Sequence, residues 1–317
     1  MPSRPRTLPE PPPTFAPFPD WARPRRAHDG PGEHVDDAEF IAGAALASLN
    51  PIARSDHPLG NLWRQRLALA SAEVVVKLEG RTEDAATLRD HLYLTRMNDD
   101  PGPAGRALQA WRILGAASGL RVARWEEDLP THLQLAASPS VSEAIKLAAV
   151  RASTARGSPV AAAAEVSASA LRLTSSRPLA LWLADAVLAR QLNWRIPVPM
   201  LAAHLKRSSL RFASGAQCEP DAWRAACAIG YARAAAAAFD QYMDLGRRAT
   251  RLLEVAPKLR GKDADQAVLA LLCEDALAAQ AGATTSDRSS RRLFERLVEL
   301  GAVRELTGRA TFRLYGL

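Results

Sequence analysis

The side chains with the most definite chemistry to offer are arginines near the end of the chain. Arg288, Ser289, Arg291 and Arg292 fall within one amphipathic segment, and Arg304, Arg309 and Arg313 punctuate the stretch after it. Guanidinium forks suit phosphate oxygens and the acceptor edge of guanine, and a short hydroxyl such as Ser289 suits phosphate, so this set points to nucleic-acid recognition.

Two elements must position them. The segment Asp287–Leu300 reads as a helix: Ser286 can accept from a free N–H of its first turn, Asp287 sits at the positive end of the dipole, and Gly301 is placed to end it. At about 100° per residue, Leu293, Leu297 and Leu300 share one face, widened by Phe294 and Val298, while Arg288, Arg291, Arg292 and Glu295 point away. Beyond Gly301, the segments Ala302–Leu306 and Thr311–Tyr315 read as strands joined through Thr307–Ala310, with Arg309 at the tip. A basic helix followed by a hairpin is the back half of a winged helix-turn-helix. Such a domain needs two more helices ahead. Ala264–Gln280 supplies one, and Ala278–Thr285 leaves room only for a very short second or for a break near Glu274–Asp275. The same pattern also fits a module that contacts protein, or a cap on a helical bundle.

Other candidate chemistry is thinner. In the turn Asn98–Arg106, Asp99 and Asp100 could hold a divalent cation, or the helix start with Gly105 and Arg106 could receive an anion, but the carboxylates would repel that anion. The simpler reading is structural, with Asp100 capping and Pro103 in the first helical turn. Asp185, inside the apolar run Leu181–Leu188, needs a partner if buried, either backbone N–H or an arginine such as Arg64, Arg66 or Arg190. The six histidines show no metal-binding spacing, and Cys218, Cys227 and Cys273 form neither a zinc pattern nor a disulfide framework. Phosphate-binding loops, dinucleotide fingerprints and nucleophile elbows are missing from the sequence. No enzyme activity, cofactor or metal is expected.

Composition sets the frame. A chain of 317 residues, 48% hydrophobic and 24% charged, is long enough for two compact units and too apolar for general disorder. Its dependence on Ala, Leu and Arg favours helix nearly throughout. The net charge of +7 is concentrated at the ends: thirteen basic against nine acidic residues lie in Arg247–Leu317, and five against three in residues 1–32. A near-neutral scaffold with a cationic terminal module suits polyanions. The odd, sparse cysteines fit a reducing compartment, and no apolar leader or span of about 18 apolar residues is visible, so a cytoplasmic protein without membrane contact is expected.

Residues 1–32 hold ten prolines and are expected to form a disordered arm, with Phe15, Phe18 and Trp21 docking on the body or on a partner. The body, residues 33–256, should contain helices at Asp37–Asn50, Asn61–Glu79, Glu83–Thr95, Ala104–Ser118, Leu129–Ala137, Val141–Arg156, Val160–Thr174, Leu179–Gln191 and Val198–Arg207. Asp221–Leu253 is the longest, a central strut or a homodimer seam, breakable at Gly230 or Gly246. Pro257–Lys262 reads as the linker into a terminal module of residues 257–317. The fold class is mainly α: a bundle-like multi-helix body with a C-terminal winged-helix-like module ending in a short β-hairpin.

Several stretches together resemble a family: Glu39–Ala47 (EFIAGAALA), Trp63–Leu69 (WRQRLAL), Asp99–Arg106 (DDPGPAGR), Leu181–Ala189 (LWLADAVLA), Ala256–Arg260 (APKLR) and Ser286–Leu317. They are similar to an uncharacterised bacterial family catalogued as domain of unknown function number fourteen hundred and three. The resemblance covers nearly everything beyond the proline-rich arm and implies a coherent bacterial protein, but it carries over no activity or site residue. The expected function is double-stranded DNA binding, as in transcriptional regulation, through Arg288, Ser289, Arg291 and Arg292 with Arg304, Arg309 and Arg313 on the wing. The alternative is a protein-interaction module, adaptor or structural, whose basic C-terminus meets an acidic partner.

Overall fold

The computed structural model describes residues 8–25, 34–96, 99–117, 121–154, 157–259, 264–278, 287–309 and 312–317. The chain is mainly helical, with one small antiparallel sheet near its C-terminus. The helices are α1 (Val35–Ala53), α2 (Leu59–Leu78), α3 (Ala85–Tyr93), α4 (Gly102–Leu114), α5 (Trp125–His132), α6 (Pro139–Ser153), α7 (Pro159–Thr174), α8 (Arg177–Gln191), α9 (Leu201–His204), α10 (Pro220–Val255), α11 (Ala264–Cys273) and α12 (Asp287–Glu299), and the strands are β1 (Leu277–Ala278), β2 (Arg304–Glu305) and β3 (Leu314–Gly316).

A serine followed by proline marks several helix starts. Ser138, Ser158 and Ser176 accept from the backbone N–H of Val141, Ala161 and Leu179, and each is followed by a proline in the first turn. The hydroxyl satisfies a donor that the helix leaves open, and proline has no N–H to satisfy there.

The centre of the body is α10, 36 residues that run unbroken past both Gly230 and Gly246. At about 1.5 Å per residue this is a strut of roughly 54 Å. Gly230 lets α9 close on it: a Cβ there would meet Leu201 Cδ1 at 3.0 Å. Helix α1 lies along α10, α7 and α9 pack beside it, and α8 stacks on α7 and α6. Alanine-rich surfaces bring these helices close, and indoles bind the layers. Trp63 donates Nε1–H to the Ala238 carbonyl (2.8 Å), Trp182 to Ala110 (3.0 Å) and Trp223 to Ala164 (2.9 Å). Each buried N–H uses the spare lone pair of a helical carbonyl.

The proline-rich segment differs from the expected disorder over residues 8–25. Proline holds it extended, and its aromatics supply anchors: Phe18 is buried against Phe239, and Phe15 packs edge-on to Tyr242. Arg23 forks onto Asp240 through two bonds of 2.8 Å. Trp21 stays on the surface, stacked on the equally exposed Phe40.

One expected helix shrinks. In place of Val198–Arg207 stand the four residues of α9 and a 3-10 turn at Arg207–Phe212. Pro197 and Pro199 keep the preceding chain extended, and the buried Asp185 carboxylate accepts from the N–H groups of Met200 (2.7 Å) and Leu201 (3.1 Å), fixing where α9 begins. Asp185 is therefore met by backbone rather than by an arginine. In the turn before α4, Asp100 accepts from Gly102 N–H (2.9 Å) and pairs with Arg106 (2.6 Å), a structural role, while Asn98 lies outside the described residues.

The C-terminal elements share the body's core. Phe294, Leu297, Ala302, Val303, Tyr315 and Leu317 belong to the same contiguous apolar cluster as the helices around α10. The presumed linker opens with a 3-10 turn at Ala256–Lys258, and residues 260–262 lie outside the described chain. Among the described residues, no helix is long and apolar enough to cross a membrane.

Candidate nucleic-acid interface

Helix α12 follows its pattern except at Val298, which was expected to widen the apolar face and is exposed. Phe294 and Leu297 are buried, Leu293 and Leu300 half-buried, and Arg291, Arg292, Glu295 and Glu299 face out. Its end is a paired stop: Gly301, at φ 64°, donates to the Val298 carbonyl (2.9 Å), and Ala302 donates to Leu297 (3.0 Å). Glycine takes the left-handed conformation without a Cβ clash, and the two bonds satisfy carbonyls that the last turn would leave open. The expected cap Ser286 lies outside the described residues, as do the side chains of Asp287 and Arg288.

The strands follow in the order β1-β3-β2, so the final strand inserts between the other two. Leu277 pairs with Tyr315 and Ala278 with Leu314 on one side, and Arg304 with Gly316 and Glu305 with Tyr315 on the other. Tyr315 stacks on Phe294 with ring centroids 4.8 Å apart, which seats α12 on the sheet. The whole run is helix, strand, helix, hairpin, with residues 279–286 outside the described chain.

The structure divides the six candidate side chains that it describes. Ser289, Arg291 and Arg292 lie exposed on α12, and neither arginine has an ion-pair partner among the described residues. Further along the helix, Arg296 is answered by Glu299 at 3.0 Å. The open cationic surface therefore occupies the N-terminal half of α12, the part that a recognition helix turns toward base edges.

Two of the three hairpin arginines are engaged within the protein, and the third, Arg304, is exposed on β2. Arg309 pairs with Asp90 of α3, and Arg313 donates to the Arg309 carbonyl (2.9 Å) with Glu305 at 3.7 Å. Arg304 is pushed below the usual guanidinium range, first by burial and then by the like charge of Arg248 on α10. Phe312, beside the hairpin turn, is largely exposed at φ 54°, whereas Ala310 and Thr311 lie outside the described residues.

A seam that sequence reasoning missed holds this module to the body. The Asp275 carboxylate, almost fully buried, receives Arg66 of α2 at 2.6 Å and Arg89 of α3 at 2.7 Å. Arg66 also donates to the carbonyls of Asp275 (3.0 Å) and Leu317 (3.1 Å), linking the approach to β1 and the end of the central strand β3 to α2. Burial lowers the Arg66 pKa, and the adjacent carboxylate offsets part of that effect. Asn61 and Gln65 cover the Cys273 carbonyl, Gln65 accepts from Asp275 N–H (2.9 Å), and the Tyr93 hydroxyl accepts from Ala276 N–H. Strand β3 closes on this seam because residue 316 is glycine: a Cβ there would stand 2.6 Å from the Asp275 carbonyl oxygen. The only sequence signal was the pair Glu274–Asp275 interrupting an apolar run, and it names no partner.

The chain belongs to the family described as Protein of unknown function (DUF1403), which matches residues 11–317. No curated protein matches it.

Proposed function

We propose that this family member binds double-stranded DNA through the N-terminal half of α12, as a transcriptional regulator whose helical body supplies the scaffold. What carries the reading is the run α11–β1–α12–β2–β3 with sheet order β1-β3-β2, the order of a winged helix, combined with Arg291 and Arg292 open on α12. In this reading Arg288, Ser289, Arg291 and Arg292 enter the major groove and meet its flanking phosphates, while Arg304, Arg309 and Arg313 approach the backbone. A homodimer would place two copies of α12 on two half-sites.

The test is selection of bound duplexes from a randomised pool by the full-length chain, repeated with Arg288, Arg291 and Arg292 changed to Ala. An enriched motif that the triple variant loses is the expected result. Arg292→Ala alone should cost about 1–3 kcal/mol if it reads a base edge. A pool that emerges unenriched at moderate salt would reject the reading.

A second reading, an acidic protein partner in place of DNA, is favoured by Phe312: a phenyl ring 67% exposed beside the hairpin turn is more at home in a protein interface than against phosphate. Steep salt dependence accompanies either partner, so sequence preference is what separates them.

A further inference from the structure

A cleft of about 710 Å³ opens between α2, α4 and the segments around residues 55–58 and 195–196, far from the exposed arginines of α12 in sequence and built from different side chains. Its volume is within the range of small-molecule sites, which combine apolar walls with a few convergent polar groups. Leu92, Ile113 and Ile196 supply apolar wall, and Arg64, Arg112 and Arg195 supply positive charge.

Arg64 is the unusual member. It is 3% exposed, yet its partners are the Gly60 and Ala53 carbonyls (3.1 and 2.6 Å) and the Trp63 ring, with no carboxylate in contact, and its Nε has no hydrogen-bond partner among the described residues. Burial, with the like charge of Arg195 next, pushes its pKa down only to about 10, so the group remains a cation at neutral pH. A buried, uncompensated charge is costly to keep unless something neutralises it. The other two arginines have partners that an incoming anion could replace: Arg195 meets Asp56 at 2.8 Å on an exposed rim, and Arg112 stands 3.6 Å from Glu274.

We infer that this cleft is a binding site for a small amphipathic anion, an apolar body bearing a carboxylate or phosphate, held by Arg64, Arg112 and Arg195. Its wall is also the seam. Gln65 and Glu274 line the cleft, Gln65 bonds Cys273, Glu274 and Asp275, and Arg112 bonds Gln65 and Tyr93. An anion that draws Arg112 from Glu274 changes the contacts that seat α11 and β1, so occupancy is felt by the C-terminal module whatever α12 binds.

Titration calorimetry of the full-length chain with inorganic phosphate, phenyl phosphate and benzoate tests this. Saturable one-to-one binding of phenyl phosphate or benzoate is expected, and which of the two binds tighter identifies the acid group. Arg195→Ala should weaken it by about tenfold or more, the usual loss for one charge-assisted contact, and Asp56→Asn, which removes the competing carboxylate, should tighten it. Arg64→Met should abolish binding, and if that variant fails to fold, Arg195→Ala and Asp56→Asn still decide. Hydrogen exchange at residues 273–278 should change on saturation. No binding of any probe, or binding that neither rim substitution alters, overturns the site.

Discussion

Among the described residues two aspartates are buried, and they are met in opposite ways. Asp185, deep in the body between α8 and α9, meets backbone N–H groups and lies beside the Tyr231 phenol, with no ion-pair partner among the described residues. Asp275, at the seam, takes two guanidinium groups from two different helices. The first arrangement is local and shapes a single helix start. The second ties three segments across the chain and links the approach to the C-terminal sheet to α2 and α3. Burial pushes the first carboxylate toward its neutral form, opposed in part by its N–H donors, whereas the second leaves two largely buried guanidinium groups dependent on it.

The largest expected effect follows from that dependence. Asp275→Ala would strand Arg66 and Arg89, both largely buried, without their counter-charge, at a cost of about 3–5 kcal/mol. The loss should be regional. Amide protection in Arg304–Glu305 and Leu314–Gly316 should fall toward that of exposed chain while α7 and α8 keep theirs, as mapped by native-state hydrogen exchange. A uniform loss across the body, or none, would show that the seam is not what holds the sheet.

The pH response of Asp185 gives the next largest effect. Burial, opposed in part by the Met200 and Leu201 N–H bonds, pushes Asp185 up to about 7. Below about pH 4 the group is protonated in folded and unfolded chains alike and contributes no pH dependence. Between there and 7 the unfolded chain loses the proton first, so the folded state binds more protons and stability falls as pH rises; above 7 the penalty is constant. Asp185→Asn removes this titration. Urea unfolding should show the wild-type advantage over the Asn variant shrinking between pH 4 and 8 by on the order of 2–4 kcal/mol, at about 1.4 kcal/mol per pKa unit. A pH-independent difference between the two proteins would mean that Asp185 stays ionised when folded.

These contrasts also explain what could be read in advance. The helices are legible because proline and glycine breaks and 3.6-residue periodicity act over a few neighbours, and the stop at Gly301 lies where the pattern requires. The dock of Phe15 and Phe18 was weighed for the same reason, since isolated aromatics in a proline-rich stretch have few other places to go. Helix α9 was overestimated because its start is set by Asp185, fifteen residues upstream of Met200. The seam was invisible: Arg66 and Arg89 meet Asp275 across 209 and 186 residues, and nothing local marks an arginine for a particular distant carboxylate. The cleft was hidden likewise, since Arg64 looks in sequence like any polar residue on an amphipathic helix and only the packing buries it.

The smallest expected effect concerns an exposed ion pair between the module and the body. Arg309 and Asp90 also join the hairpin to α3, but the arginine side chain is 47% exposed, so water already solvates much of the charge. Arg309→Ala should therefore cost less than about 1 kcal/mol in thermal or urea unfolding. A cost approaching that of Asp275→Ala would collapse the distinction between a buried tether and an exchangeable one. The same exposure makes a second measurement informative. An arginine held loosely by a carboxylate can trade it for a phosphate, so under the DNA reading Arg309→Ala should lower affinity for all duplexes alike and reduce the salt slope by about 1. Asp90→Asn should move affinity the other way by releasing the same guanidinium. If both substitutions leave duplex binding unchanged, Arg309 serves only as an intramolecular clasp.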